Sequence, residues 1–141
     1  MKITDVTLTL FAFEGLPPTT YAAHLSNTTG RSELGLVTIR TDEGVEGRSF
    51  LGSGMRPAGL DAKALIDGLK PLLMGQDPLD RERLHRLMRQ WSRTSTLRPL
   101  GAMDVALWDL AGQVAGLPIH RLLGTQRTSI PAYASSQKLK H

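Results

Sequence analysis

The 141-residue chain is 40% apolar and 21% charged, carries a formal net charge of +4 and contains no cysteine. That length suits one domain with a core of its own, and the composition excludes the disordered and fibrous classes. The missing cysteines exclude disulfides, thiolate metal sites and thiol nucleophiles, while no stretch reaches the roughly 18 apolar residues of a membrane span.

Between Asp5 and Leu10 the polar residues Asp5, Thr7 and Thr9 alternate with Val6, Leu8 and Leu10, the period of two of a half-buried strand. Residues 14–30 (EGLPPTTYAAHLSNTTG) break that pattern and are long for a hairpin connection, a length usually found in functional or disordered loops. Two further β-rich runs, Leu34 to Thr41 and Val45 to Leu51, are separated by Asp42-Glu43-Gly44, which predicts a tight hairpin and completes a three-stranded antiparallel meander. Residues 52–59 (GSGMRPAG) form a second loop, too rich in glycine and proline for regular structure.

Helical spacing then takes over. Ala62, Leu65, Ile66, Leu69 and Leu73 share one face of a first helix, which Pro71 should kink or shorten and Gly75 should close. Asp77-Pro78 predicts an N-cap followed by a first-turn proline, with Leu84, Leu87, Met88 and Trp91 as the buried stripe of a second helix. A third helix is expected from about Pro99 to Ala115, ending at Gly116, with Met103, Leu107, Leu110 and Val114 at helical spacing and Ala102, Ala106 and Ala111 allowing close packing. Strands followed by segregated helices read as α+β. Ser129 to Ser135 is one more short extended segment, with no strand partner left in the chain.

Several chemical readings fail on the residues. Gly52-x-Gly54 follows a strand, but Pro57 stands where a dinucleotide fingerprint needs its third glycine. His24, His85, His120 and His141 show no i, i+4 pairing, so a zinc site from this chain alone is not expected. Asp104 and Asp109 lie in an otherwise apolar helix and are expected to be structural, meeting arginines or backbone N–H groups. Arg81, Arg83, Arg86, Arg89, Arg93 and Arg98 concentrate positive charge, yet interleaved Asp80 and Glu82 and the single aromatic Trp91 favour a solvated helix face over a nucleic-acid surface.

The string Gly101-Ala102-Met103-Asp104-Val105-Ala106-Leu107-Trp108-Asp109-Leu110-Ala111-Gly112, with Gly116-Leu117-Pro118 and Leu122-Leu123-Gly124 after it, is the most specific signal in the chain. It resembles the A-x-D-x-A-L-W-D-L-x-G-K-x-x-G-x-P-x-x-x-L-L-G block of the mandelate racemase/muconate lactonizing enzyme family, within the enolase superfamily. The Met1 to Asp5 opening and the Thr41-Asp42-Glu43-Gly44-x-x-Gly47 hairpin support the resemblance, which covers residues 1 to 136. Gln113 and Thr125 depart from it, standing where lysine and a second glycine are usual.

The resemblance implies an N-terminal capping domain over residues 1–125, with a three-stranded meander and a three-helix bundle. Residues 126–141 would then be a linker and the first strand of a (β/α)₇β barrel whose remainder is absent. In such enzymes the barrel supplies the Mg²⁺ ligands and the bases that remove a proton α to a carboxylate, while two lid loops complete the pocket. A barrel takes on the order of 200 residues, so no catalytic residue and no metal ligand is assigned to this chain. Lys138-Leu139-Lys140 resembles the K-x-K base pair of the second barrel strand but follows the first strand too closely, since a crossover needs about 10–12 residues.

The lid loops map to residues 14–30 and 52–59, where Tyr21, His24 and Arg56 are the candidate substrate-binding residues. The expected function is the specificity lid of a Mg²⁺-dependent racemase, cycloisomerase or acid-sugar dehydratase, inactive without its barrel. The expected partners are the missing barrel, a small carboxylate substrate and further copies of the same protein, in the cytoplasm, with neither nucleic acid nor membrane. The alternative is a stand-alone binding or assembly module that kept the fold and lost the chemistry.

Overall fold

The computed structural model describes residues 1–15, 31–53, 56–91 and 96–132. Three strands, β1 (Ile3–Phe13), β2 (Ser32–Thr41) and β3 (Glu46–Ser53), form an antiparallel sheet in the order β1-β2-β3. β1 outlasts its apolar alternation by three residues because backbone pairing continues to Phe13↔Ser32 whatever the side chains do. The β2–β3 hairpin turns where expected: Gly44 N–H donates to the Thr41 carbonyl at 3.2 Å, and the Thr41 hydroxyl donates to the Val45 carbonyl at 2.9 Å and accepts the Val45 N–H at 3.1 Å.

One sheet face carries Val6, Val37, Ile39 and Leu51 into the core, where they meet Leu65, Leu69, Leu73, Leu84, Met88, Met103, Leu107 and Leu110 from the helices. Each such side chain contributes about 1.5–3 kcal/mol on burial. The molecule is therefore a sheet backed on one side by helices, the α+β arrangement that the element order implies.

The first helical stretch is continuous but not uniform. α1 (Gly59–Lys63) passes into a π-helical segment (Ala64–Leu69) and then α2 (Lys70–Leu73). Pro71 has no N–H for the Asp67 carbonyl and its ring crowds that group, so a widened turn just before it stands where the kink or shortening is expected. The Lys70 N–H accordingly reaches back to the Leu65 carbonyl. After the helix, Gly75 N–H donates to the Ile3 carbonyl at 2.9 Å and Ile3 N–H to the Gln76 carbonyl at 2.9 Å, which ties the helix exit to the start of β1.

The second helix, α3 (Arg81–Gln90), starts later than Asp77-Pro78 suggests. The Asp77 Oδ1 accepts the Leu79 N–H at 2.9 Å, and this local turn competes with helix initiation. Leu84 and Met88 are fully buried, Leu87 packs partly against the core, and Trp91 is 41% exposed with its ring over Gly68. The stripe is thus narrower than the spacing predicts.

α4 (Leu97–Ala115) is the long helix laid across β3, and its buried face includes Met103, Leu107 and Leu110 as expected, while Val114 is exposed. It ends on Gly116 at φ 61°, with Leu117 N–H to the Gly112 carbonyl at 3.0 Å and Gly116 N–H to the Gln113 carbonyl at 3.2 Å. This is a Schellman cap, and the left-handed residue it needs is readily supplied only by glycine. A single further turn, α5 (Ile119–Leu122), follows. The strand expected over Ser129–Ser135 is not seen: residues 129–132 carry no ladder and residues 133–141 lie outside the described residues.

Candidate functional site

Antiparallel pairing brings both long loops to one end of the sheet. β1 ends at Phe13 opposite Ser32, and β3 ends at Ser53 opposite Glu33, so residues 14–31 and 54–58 leave from neighbouring strand ends. Tyr21 and His24 belong to the first of these loops and lie outside the described residues. At the same end the sheet's outer face carries Phe11, Phe13 and Phe50, all three phenylalanines of the chain, exposed by 42%, 47% and 71%. The register places them with Leu34 and Leu36 as one apolar patch beside the loops.

Glu33 sits between the two loops. Its carbonyl accepts the Ala58 N–H at 3.2 Å, and its carboxylate accepts the Gly59 N–H at 2.6 Å where α1 begins. The second loop also closes on itself, with Ser53 N–H to the Arg56 carbonyl at 2.9 Å and Arg56 N–H to the Ser53 carbonyl at 3.2 Å.

Arg56 neither lies free in solvent nor points at an open pocket: its Nη2 and Nε donate to Asp61 at 3.0 and 3.3 Å. Asp61 is 2% exposed and also accepts the Thr96 hydroxyl at 3.0 Å, with Arg98 Nε 3.5 Å away. Burial pushes the Asp61 carboxyl up. The hydrogen bonds from Arg56 and Thr96 and the charges of Arg56 and Arg98 more than reverse this, so the group sits below its ordinary value. The spacing of Asp61, Thr96 and Arg98 in the sequence gives no sign that they meet. The one hint is an acid in the first turn of a helix, where the dipole favours it.

The acids of the family-like block have structural partners. Asp109 Oδ2 accepts the Arg48 backbone N–H at 2.8 Å and the Gln113 side-chain amide at 3.0 Å, while that amide also donates to the Glu46 carbonyl at 2.6 Å. α4 thereby satisfies polar groups on β3. Asp104 Oδ1 lies 3.2 Å from His85 Nδ1 across the α3–α4 contact. An open cavity of about 500 Å³ is lined by Gly44, Val45, Glu46, Arg48 and Gln113. It sits at the hairpin end of the sheet, opposite the loops, and holds no acid-base pair of catalytic geometry.

Among the described residues, Arg81, Arg83 and Arg98 turn to separate partners instead of sharing one basic groove. Arg81 stacks 3.3 Å over the Trp108 ring, Arg83 bonds Asp80 and Gln76, and Arg98 turns to Asp61. Among the described residues no group of three or more histidine or carboxylate side chains could hold a metal ion, and no helix is long and apolar enough to cross a membrane. The described residues at the loop end offer an apolar patch, backbone hydrogen bonds and the charges of Glu33, Arg56 and Asp61.

The family model for the mandelate racemase/muconate lactonizing enzyme N-terminal domain matches residues 7–124. A D-galactonate dehydratase family member from Streptomyces sp. (strain SPB074) is 39% identical over 104 residues, covering 69% of this chain and 24% of that protein. The crystal structure of L-talarate dehydratase from Polaromonas sp. JS666, complexed with Mg and L-glucarate, is 28% identical with a TM-score of 0.74 over 92% of this chain and 36% of that one. A member of the enolase superfamily from the same organism, 24% identical, matches the whole chain with a TM-score of 0.82 over 38% of its own length, which is evidence for the fold alone. The chain thus spans about a quarter of the first relative and little more than a third of these structures.

Proposed function

This chain belongs to the mandelate racemase/muconate lactonizing enzyme family as its N-terminal domain, and from that premise we propose that it is the lid and specificity domain of a Mg²⁺-dependent acid-sugar dehydratase or a related racemase or cycloisomerase. The observation that carries the reading is the 39% identity over 104 residues to a D-galactonate dehydratase family member, beside a family match at residues 7–124 that takes in most of the sheet and all the helices. In this reading residues 1–125 cap a barrel and residues 126–141 lead into it. The described residues offer no ligand set for Mg²⁺. The metal, which would stabilise an enolate, and the base that removes the α-proton belong to the barrel, and this domain's share is binding.

Tyr21 and His24 are the residues we assign to the distal end of the substrate. A histidine can donate to and accept from sugar hydroxyls, and a tyrosine adds a ring face and one hydroxyl. Arg56 is the weakest of the three because Nε and Nη2 are already on Asp61. Phe11, Phe13 and Phe50, open beside the loops, supply apolar surface for the barrel or a neighbouring copy to cover.

The test is a chimera in which residues 1–125 replace the corresponding domain of the Polaromonas L-talarate dehydratase. Acid-sugar dehydration, or exchange of the α-proton with D₂O, is expected from the chimera and not from the 141-residue chain. In the chimera His24→Ala should change kcat/KM unequally across a sugar panel, by about 1–3 kcal/mol of transition-state binding. A folded, Mg²⁺-loaded chimera that turns over no acid sugar overturns the proposal, and a uniform loss across the panel removes His24 from the specificity set.

A further inference from the structure

Four residues from three parts of the chain converge at the root of the second loop. Arg56 comes from the loop, Asp61 from α1, Thr96 is the cap residue of α4, and Arg98 lies in the first turn of α4. Arg98 grips twice: its Nε approaches Asp61 Oδ2 at 3.5 Å and its Nη2 donates to the Arg56 carbonyl at 3.3 Å. We propose that Asp61 is a positioning residue that sets the stem of the second loop, residues 56–59, in advance, so that the stem holds a fixed shape before any substrate or barrel is bound.

The physical case is the cost of the alternatives. A buried carboxylate is tolerated only with its partners in place, and removing one of them strands a charge away from water. At 2% exposure Asp61 has no route to solvent that leaves the core closed. Arg56 therefore cannot swing toward a ligand without uncovering Asp61, and the Arg56 carbonyl cannot move without also releasing Arg98. On its other flank the stem is held by Glu33, whose carbonyl and carboxylate accept the Ala58 and Gly59 N–H groups. Clasp and strand together fix residues 56–59 against α1, α4 and β2. That the stem borders a substrate pocket rests on the function proposed above, whereas the clasp is a property of this chain and can be tested on it alone.

The test is amide hydrogen exchange on the 141-residue chain, compared among the wild type, Asp61→Asn, Arg56→Gln and Arg56→Lys. Loss of hydrogen bonds to a charged group should speed exchange at Arg56, Ala58 and Gly59 by about tenfold or more in Asp61→Asn and Arg56→Gln. Val37 and Ile39 in the middle strand should keep their protection, and Arg56→Lys should fall between, since an ammonium restores the charge without the two-pronged geometry. If Asp61→Asn fails to fold, Arg56→Gln alone carries the comparison, because its cut is on the solvent side. Unchanged exchange at the stem overturns the proposal, and so does a rise shared equally by the strands, which would make the clasp a general stabiliser. Neither outcome involves a substrate, so a failed chimera and a failed clasp remain separate results.

Discussion

Gly47 is where the packing of α4 on the sheet is least forgiving. A Cβ placed there would run into the Ala106 carbonyl oxygen and stand 2.7 Å from Leu110 Cβ and 3.0 Å from the Leu110 nitrogen. Two of those three atoms are backbone of α4, so Gly47→Ala can be accommodated only by lifting the helix from β3. The lift would stretch the Arg48 N–H bond to Asp109 (2.8 Å), the buried Ser49 hydroxyl bond to the Ala102 carbonyl (2.6 Å) and the Gln113 amide bond to the Glu46 carbonyl (2.6 Å). Overpacking alone costs about 1–3 kcal/mol and each of the three weakened hydrogen bonds about 1 kcal/mol, so the expected loss is about 4–6 kcal/mol. Such a loss is a large part of the roughly 5–15 kcal/mol that holds a domain folded. Gly101 is the internal control: it lies within α4, and a Cβ there meets nothing within 4 Å, so Gly101→Ala should stabilise by about 0.5–1 kcal/mol through helix propensity. Urea titrations followed by tryptophan fluorescence and circular dichroism measure both. A Gly47→Ala loss below about 1 kcal/mol, or a larger loss at Gly101 than at Gly47, would refute this account of the helix-sheet contact.

Three further outcomes follow from particular contacts. Ser49→Ala removes the buried hydroxyl bond from β3 to the Ala102 carbonyl of α4 and should cost about 1 kcal/mol, read as a shift in urea midpoint at constant slope. Arg81→Ala should strip the cation from the Trp108 ring, costing about 0.5–2 kcal/mol and shifting tryptophan emission, whereas Arg83→Ala, on the exposed turn, should leave emission unchanged. For Asp61 the folded carboxyl lies below its ordinary value, so its contribution to stability is complete above the ordinary aspartate range and is lost as pH falls through the lower folded value. Acid titration of stability in the wild type should therefore be steeper below about pH 4 than in Asp61→Asn, and superimposable curves would show that the carboxylate is not selectively stabilised by its partners.

How much of this was legible in the sequence depends on the distance over which each signal acts. The strands and the hairpin are local: alternation gives a face, and Gly44 sits where the turn closes between Thr41 and Val45. Leu97–Ala115 is equally plain because its apolar face is bounded by a glycine that becomes the αL cap. Asp77-Pro78 misleads for a local reason, since an Asx turn and a helix N-cap draw on the same residue types and only the Leu79 N–H, which goes to Asp77, decides between them. Trp91 misleads because helical spacing specifies direction but not depth, and the ring rests on Gly68 at the margin of the core.

The clasp lies beyond any such pattern. Arg56, Asp61, Thr96 and Arg98 are brought together only when α1 and the start of α4 pack side by side, so 35 residues separate the Asp61 carboxylate from the Thr96 hydroxyl it accepts. The family-like block in α4 is conspicuous for a different reason: Asp109 and Gln113 satisfy β3, Asp104 meets α3, Ala102 accepts the Ser49 hydroxyl and Ala106 admits the close approach at Gly47. Several positions in it fit the helix to the sheet, and Asp104 and Trp108 fit it to α3, so a block that identifies the family so readily carries information about the scaffold. In the function proposed above, differences in what relatives bind arise at residues such a block does not constrain, at the opposite end of β3, where the two loops leave the sheet. If the stem is fixed by Asp61 and Glu33 as proposed, such variation falls on residues beyond the stem, and the contacts of α4 with β3 that the block builds are left intact.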